Sequence, residues 1–194
     1  MKSALVAAVM LASACSPGRR ETAASPSATV SAAAVAGTTA AKAPSARATD
    51  ARWLAARDED PAASMRLAAV EGAAGLLDGI DDGGETTAVA LRALPFAEDA
   101  ESALGRLGAL LAGMPGEQQG PALAAILAIA GEPRRQREAL DAEGARSCGE
   151  ALITLASRAD LPRENRAIAV SAARALAEKG YADPRKIPGD LDPK

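Results

Sequence analysis

The chain of 194 residues contains no histidine and only three aromatic residues, Trp53, Phe96 and Tyr181. Without histidine it lacks the side chain that most often transfers protons near neutral pH and most often binds transition metals. Three aromatic rings are too few to form a stacking surface for bases or sugars. These absences argue against most hydrolases, zinc sites and single-strand nucleic-acid binding, and any core has to be built from Ala, Leu, Val and Ile.

Charge and cysteine content exclude further classes of protein. The formal net charge is only -3, from 22 basic and 25 acidic residues, so strong attraction to nucleic acid or to an anionic surface is not expected. The two cysteines, Cys15 and Cys148, lie in different regions of the chain. A disulfide framework therefore does not follow from the sequence.

The first 14 residues have the pattern of a secretory signal peptide. Lys2 is their one cation, an uncharged apolar run extends from Ala4 to Ala12, and small residues follow. The run is shorter than the roughly 20 apolar residues that a membrane-spanning helix needs. We therefore predict that residues 1–14 are removed and that the protein is exported.

The stretch Ala12-Ser13-Ala14-Cys15 resembles the lipobox of bacterial lipoproteins, although Ala12 stands where leucine is favoured. The resemblance implies that the Cys15 thiol receives a diacylglyceryl group and becomes the new amino terminus. Each buried methylene contributes about 0.8 kcal/mol, so several acyl chains would hold the protein at a membrane. Ser16, in place of an aspartate, implies the outer rather than the inner membrane. The alternative is an ordinary signal peptide cut after Ala14, which would leave Cys15 as a free thiol.

Residues 15–49 consist mostly of Ala, Ser, Thr and Pro, with Val30 and Val35 as the only larger aliphatics. Such a segment cannot bury enough apolar surface to offset its ordering entropy. We predict a disordered tether that begins at Cys15 and spans about 30 Å.

From Asp50 onward, Pro and Gly separate stretches with helical spacing, which predicts an all-α domain over residues 50–194. Asp60 followed by Pro61 predicts the start of a long helix that ends near Ile80. Its apolar residues at three-to-four spacing are expected to form one buried face: Met65, Ala69, Ala73, Leu76 and Ile80. The irregular tail from Tyr181 is expected to pack back onto the last helix.

Three later helices carry more specific predictions. Gly105, Gly108 and Gly113 either weaken the helix that starts near Glu98 or admit a close neighbour. Residues 121–130 carry no charge, which predicts a helix buried at the centre of the domain. Cys148 lies on an apolar stripe, and the chain has no histidine to activate it. It is therefore predicted to be a buried hydrophobe and not a nucleophile.

Two helices share a phrase that begins at Arg66 and at Arg166: Arg, two residues, Ala-Val, one residue, a small residue and Ala. The phrase, with Asp60-Pro61 before the first copy, resembles the second helix of HEAT-like repeats. The resemblance implies a short right-handed α-solenoid of stacked antiparallel helix pairs with a period of about 40 residues. An irregular helical bundle is the alternative. Under either architecture, Arg66 and Arg166 are expected to be solvated or paired with acids.

Two charged stretches are better explained as solvated surface than as binding sites. Residues 78–85 resemble a calcium loop, but Ile80 and Val89 fall where oxygen ligands are required, so a solvated turn is expected. The arginines between Glu132 and Arg137 could hold a phosphate, but without interleaved aromatics they read as a solvated connector. The sequence predicts no catalytic residue, no metal ligand and no cofactor.

The remaining hypothesis is a lipid-anchored, non-catalytic module of the bacterial cell envelope that binds a protein partner. A structural accessory subunit of an envelope assembly is the alternative, and an enzyme is a remote one. Neither nucleic acid nor a small-molecule substrate is expected as a partner. An exposed apolar patch favours an interaction module, whereas uniformly polar flanks favour an accessory subunit.

Overall fold

The computed structural model describes residues 45–132 and 141–189, and the features below refer to these ranges. Within them the chain is all-helical and has no strand, so the predicted fold class is confirmed. The α-helices are α1 (Ala51–Ala55), α2 (Pro61–Asp82), α3 (Glu85–Ala93), α4 (Leu104–Leu111), α5 (Gly116–Gly131), α6 (Ala142–Ala156) and α7 (Arg163–Glu178). The short 3-10 helices are Ala46–Thr49, Ala56–Asp58, Leu94–Phe96, Ala100–Ala103 and Pro184–Lys186. The predicted signal peptide, Cys15 and residues 16–44 of the predicted tether lie outside the described residues.

Four pairs of helices share the most extensive contacts. α2 packs against α3, α4 against α6, α5 against α7, and α6 against α7. α5 also contacts α3 and α4, so it lies between these two helices and α7. Aliphatic side chains fill most of the core, as predicted, with Trp53 as a large buried addition.

Glycines bring α4 and α6 unusually close together. A Cβ atom at Gly105 would stand 2.8 Å from the Cα of Gly144, and one at Gly108 would stand 2.8 Å from the Cα of Cys148. Real Cβ atoms do not approach other atoms this closely, so side chains at these two positions would force the helices apart. The close neighbour is therefore confirmed for Gly105 and Gly108, whereas Gly113 lies beyond the end of α4 and has no close neighbour from another helix.

The long helix α2 is bent at Gly72, where φ is 63° and ψ is -178°. Beyond the bend, Ala73, Leu76 and Ile80 are buried as predicted. Before the bend, Met65 and Ala69 are exposed, so the prediction of one continuous buried face is wrong for these two residues. The side chains buried in their place are Ala63, Ser64, Leu67 and Ala68.

The bend explains the error in physical terms. At about 100° per residue, the buried face of residues 61–71 lies about half a turn away from the buried face of residues 73–82. The combination of φ 63° with ψ -178° suits glycine alone, because a Cβ would be strained there. The new helical segment after Gly72 is capped from another part of the chain, since the Ala73 N–H donates a hydrogen bond of 2.8 Å to Oδ1 of Asp99.

Helix α5 is central but not buried on all sides. Leu123, Ile126 and Ile129 point into the core, whereas Pro121 and Ala128 are exposed. The uncharged run therefore predicted the position of the helix correctly and its complete burial incorrectly. Its outer face is made of Pro and Ala, whose small apolar area makes exposure to water inexpensive.

The last helix ends and turns back as the sequence predicts. Gly180 has φ 80°, and the Tyr181 N–H donates a 2.8 Å hydrogen bond to the Leu176 carbonyl, which closes the helix terminus. Tyr181 is buried and Ile187 packs partly buried against the core. The described part of the tail thus covers the end of the domain formed by α6 and α7.

Candidate interaction surface

Residues 45–58, here called the N-terminal strap, lie against α2 and α3. Trp53 is buried, and its ring occupies a notch at Gly79, where a Cβ atom would overlap it. The guanidinium of Arg47 lies over the same ring, with its Cζ 5.9 Å from the ring centroid. Contacts of the folded unit therefore begin at Arg47, before the domain boundary predicted at Asp50.

Three ion pairs tie the strap to the helices beneath it. Arg47 pairs with Asp82 at 3.0 Å and with Asp78 at 3.5 Å. Arg57 pairs with Glu85 at 2.7 Å. A longer contact of 3.6 Å joins Arg52 to Glu71.

The acidic stretch at the end of α2 is paired with arginines from two sides. Arg106 of α4 bonds to Asp81 and lies 3.7 Å from Asp78, which Arg47 also contacts. Carboxylates near a helix C-terminus are unfavourable next to the helix dipole, and the two arginines offset that repulsion. No group of metal-ligating side chains is assembled here or elsewhere in the ranges that the structure describes.

Glu59 marks the junction between the strap and α2. It is a non-glycine residue with φ 61°. Arg92 holds it with an ion pair of 3.0 Å and also donates to the carbonyls of Ala56 and Arg57 at 3.3 and 3.1 Å. Arg92 therefore provides hydrogen bonds to the backbone carbonyls at the end of the strap and fixes the turn that leads into α2.

Cys148 is fully buried in the contact between α4 and α6, and burial raises the pKa of its thiol to about 12. The thiolate is the reactive form, so this side chain is chemically inert at neutral pH. The prediction of a buried hydrophobe is confirmed.

The two arginines of the shared phrase have different surroundings. Arg66 is exposed and lies 3.7 Å from Asp60, in line with its prediction. Arg166 is half-buried, and its Nε has no hydrogen-bond partner, so the expected solvation or acid pairing is not found at this nitrogen. Residues 133–137 of the predicted connector, like Cys15, lie outside the described residues.

The outer face of α2 consists of Ala62, Met65, Arg66, Ala69 and Val70. Met65 is 55 % exposed and Val70 is 60 % exposed. Arg66 is the only charged residue of this face. Large apolar side chains with such exposure on one side of a short helical segment are a recognised mark of an interaction surface.

Charge is unevenly divided between the described ranges. Residues 45–132 carry fourteen carboxylates against six arginines, whereas residues 141–189 carry seven carboxylates against eight basic side chains. The outer face of α2 belongs to the acidic range. A partner that approaches this range is attracted if its own surface is basic.

The described residues also form two concave features, a groove and a crevice. An open groove of about 380 Å³ runs between α7 and the turn at Pro184, with Arg174 and Glu178 as its charged lining residues. A crevice of about 10 Å³, the size of one water molecule, lies beside the ion pair of Lys179 with Glu101. Neither feature brings a nucleophile together with a base.

Comparison of the chain with protein-family models, with curated proteins and with solved structures found no match. Among the described helices, none combines the length and the apolar character that crossing a membrane requires.

Proposed function

We propose that the protein is a lipid-anchored, non-catalytic interaction module of the bacterial cell envelope, which binds a protein partner through the outer face of α2. The observation that carries this proposal is the exposure of Met65 and Val70 on one side of the helix. Exposed apolar side chains of this size favour an interaction module over an accessory subunit with polar flanks.

The architecture proposed for the module is a short HEAT-like stack with two layers, α2, α4 and α6 in one and α3, α5 and α7 in the other. The packing of α4 on α6 and of α5 on α7 supports it, because helices of one layer then touch across successive pairs. In such a stack the strap would cover one end and the tail from Tyr181 the other.

Anchoring is proposed to occur through Cys15, from which a tether leads to the strap. The lipobox-like stretch and the uncharged run before it support this assignment. Acyl chains on Cys15 would keep the module at the outer membrane without a spanning helix.

The partner site is tested by capture from membranes of the native host. The full-length protein is compared with a Met65→Ser/Val70→Ser variant and with a matched Ala124→Ser/Ala128→Ser control on the exposed side of α5. We expect the α2 variant to lose at least about nine tenths of the captured partner, as removal of about 1.4 kcal/mol of binding free energy predicts, and the control to keep it. Equal capture by all three proteins would refute the assignment of this face.

A further inference from the structure

Both sides of the first half of α2 are mostly apolar, with Ser64 as the polar exception on the inner side and Arg66 on the outer side. Its inner side presents Ala63, Leu67 and Ala68 to the core, and its outer side presents Met65, Ala69 and Val70 to water. Leu and Met have similar volumes, so exchanging the two sides conserves most of the buried apolar volume. An ordinary surface helix has a polar outer side and does not allow such an exchange.

The bend at Gly72 determines which of the two sides is in line with the buried stripe of residues 73–82. In a straight helix, Met65 and Ala69 continue the stripe of Ala73, Leu76 and Ile80, at three-to-four spacing. The bend at Gly72 turns the first half by about half a turn and breaks this continuity. A straight helix over residues 61–82 would therefore have one continuous apolar stripe, interrupted only by Arg66.

Two local interactions accompany the bend. Gly72 tolerates its positive φ, and the carboxylate of Asp99 accepts the hydrogen bond from the Ala73 N–H. In a straight helix that N–H would instead bond to a carbonyl one turn earlier, and Asp99 would lose this contact. Arg66 opposes straightening, since its guanidinium would turn toward the core side.

We propose that α2 has two conformers, bent and straight, and that Asp99 selects the bent conformer, which displays Met65 and Val70. Straightening turns Met65 and Ala69 inward and brings Leu67 out, so it withdraws the outer face of α2. As a control on partner binding this rests on the proposed function. The two conformers themselves are measured without any partner, so the two proposals can fail separately.

The test measures the chemical accessibility of two side chains in the same full-length protein, native Met65 and a cysteine introduced at position 67. Hydrogen peroxide oxidises exposed Met65, with buried Met114 as internal reference. Iodoacetamide modifies a Leu67→Cys variant, with buried Cys148 as the second reference. Peptide mass spectrometry separates these positions because trypsin cleaves after Arg57, Arg66 and Arg92.

Three backgrounds are compared. Asp99→Ala removes the acceptor, Asp99→Asn keeps an oxygen acceptor at the same position, and Gly72→Ala combined with Asp99→Ala also penalises the positive φ. Loss of a capping acceptor is worth about 1 kcal/mol, which predicts that Asp99→Ala raises modification at position 67 about fivefold. Asp99→Asn is expected to match the parent. In the combined variant, oxidation of Met65 is expected to fall about fivefold.

The proposal is supported only if modification at position 67 rises and oxidation of Met65 falls in the combined variant. If position 67 becomes reactive in the combined variant while Met65 stays exposed, the segment has unfolded locally and the straight conformer is refuted. If neither position changes in the combined variant, the bend does not depend on Gly72 and Asp99, and the proposal is overturned as well.

Discussion

At the scale of single residues, the notch at Gly79 explains how a chain with so few aromatic residues uses its one tryptophan. Trp53 can be buried against α2 because position 79 has no side chain. Because Trp53 is the only tryptophan of the chain, its fluorescence reports on docking of the strap.

Replacing Gly79 tests this arrangement directly. We expect Gly79→Ala to lower the free energy of unfolding by about 1–3 kcal/mol, because its methyl group overlaps the Trp53 ring and the strap has to shift. Urea denaturation followed by tryptophan fluorescence measures the change. Gly116→Ala is the matched control, since nothing lies within 4 Å of a Cβ at that helical position. Equal stability of the two variants would contradict the notch.

Burial of Cys148 predicts its chemistry. We expect no alkylation by iodoacetamide at pH 8 in the native protein, because burial raises the pKa of the thiol to about 12 and excludes the reagent. Alkylation should appear only when urea unfolds the domain. Exposed Ser147 provides the control, because a Ser147→Cys variant should react rapidly under native conditions. Fast modification of Cys148 itself would show that α4 and α6 separate readily.

The ionisation of Asp50 makes the stability of the strap depend on pH. The side chain of Arg52 donates hydrogen bonds to the Asp50 carboxylate and lowers its pKa from 3.8 to about 2, and the Arg52 N–H bonds to it as the cap of α1. A lowered folded-state pKa means that this stabilisation is complete above about pH 4 and is lost as the pH falls through about 2. We expect Asp50→Asn to remove part of the change in Trp53 fluorescence between pH 4 and pH 2. An unchanged titration would exclude Asp50 as a contributor.

At the scale of elements, the sequence predicted the existence and order of the helices and most of their ends, although α4 begins only at Leu104 and α5 already at Gly116. Proline and glycine between periodic stretches carry that information locally, as at Pro61 and Gly180. The bend of α2 was not predicted, because the stripe from Met65 to Ile80 is continuous and a single glycine inside a helix is tolerated. At the bend, the Ala73 N–H donates a hydrogen bond to Asp99, which is 26 positions away and therefore outside any local pattern.

Residues 45–49 of the strap were assigned to the tether for a similar reason, whereas residues 50–58 fall within the predicted all-α domain. Arg47 lies in a stretch whose composition predicts a tether, and its carboxylate partners on α2 are more than thirty positions away. A local reading of the sequence contains no signal for pairs at that separation. The exposed apolar residues of α2 were likewise assigned to the core, because amphipathic periodicity cannot tell which of two apolar sides faces inward when both exist.

The contact between α4 and α6 allows a test of close packing. Gly108→Ala places a methyl group 2.8 Å from the Cα of Cys148, on backbone that cannot rotate away. We expect a loss of about 1–3 kcal/mol in the free energy of unfolding, measured by urea denaturation. Gly113→Ala is the control, because its nearest neighbour is at an ordinary 3.9 Å. If Gly108→Ala is as stable as this control, α4 and α6 are not in close contact in solution.

At the scale of the whole molecule, the proposed anchor is tested by the fate of the intact chain in its native host. We expect Cys15→Ala to move most of the protein from the membrane fraction to the soluble exported fraction, because a lipid on this sulfur is the proposed attachment. Cell fractionation with immunodetection measures the distribution, and a Cys148→Ala variant serves as control. Membrane association that survives Cys15→Ala would exclude lipidation as the anchor.

The strap also determines how the domain would respond to mechanical load. Tension on the chain before Ser45 reaches the helices in sequence, first through the ion pairs of Arg47 and then through Trp53. These contacts are the first to bear load applied at that end of the domain. Residues 45–58 would therefore detach before the helices that they cover, and their detachment would leave the core of the domain in place.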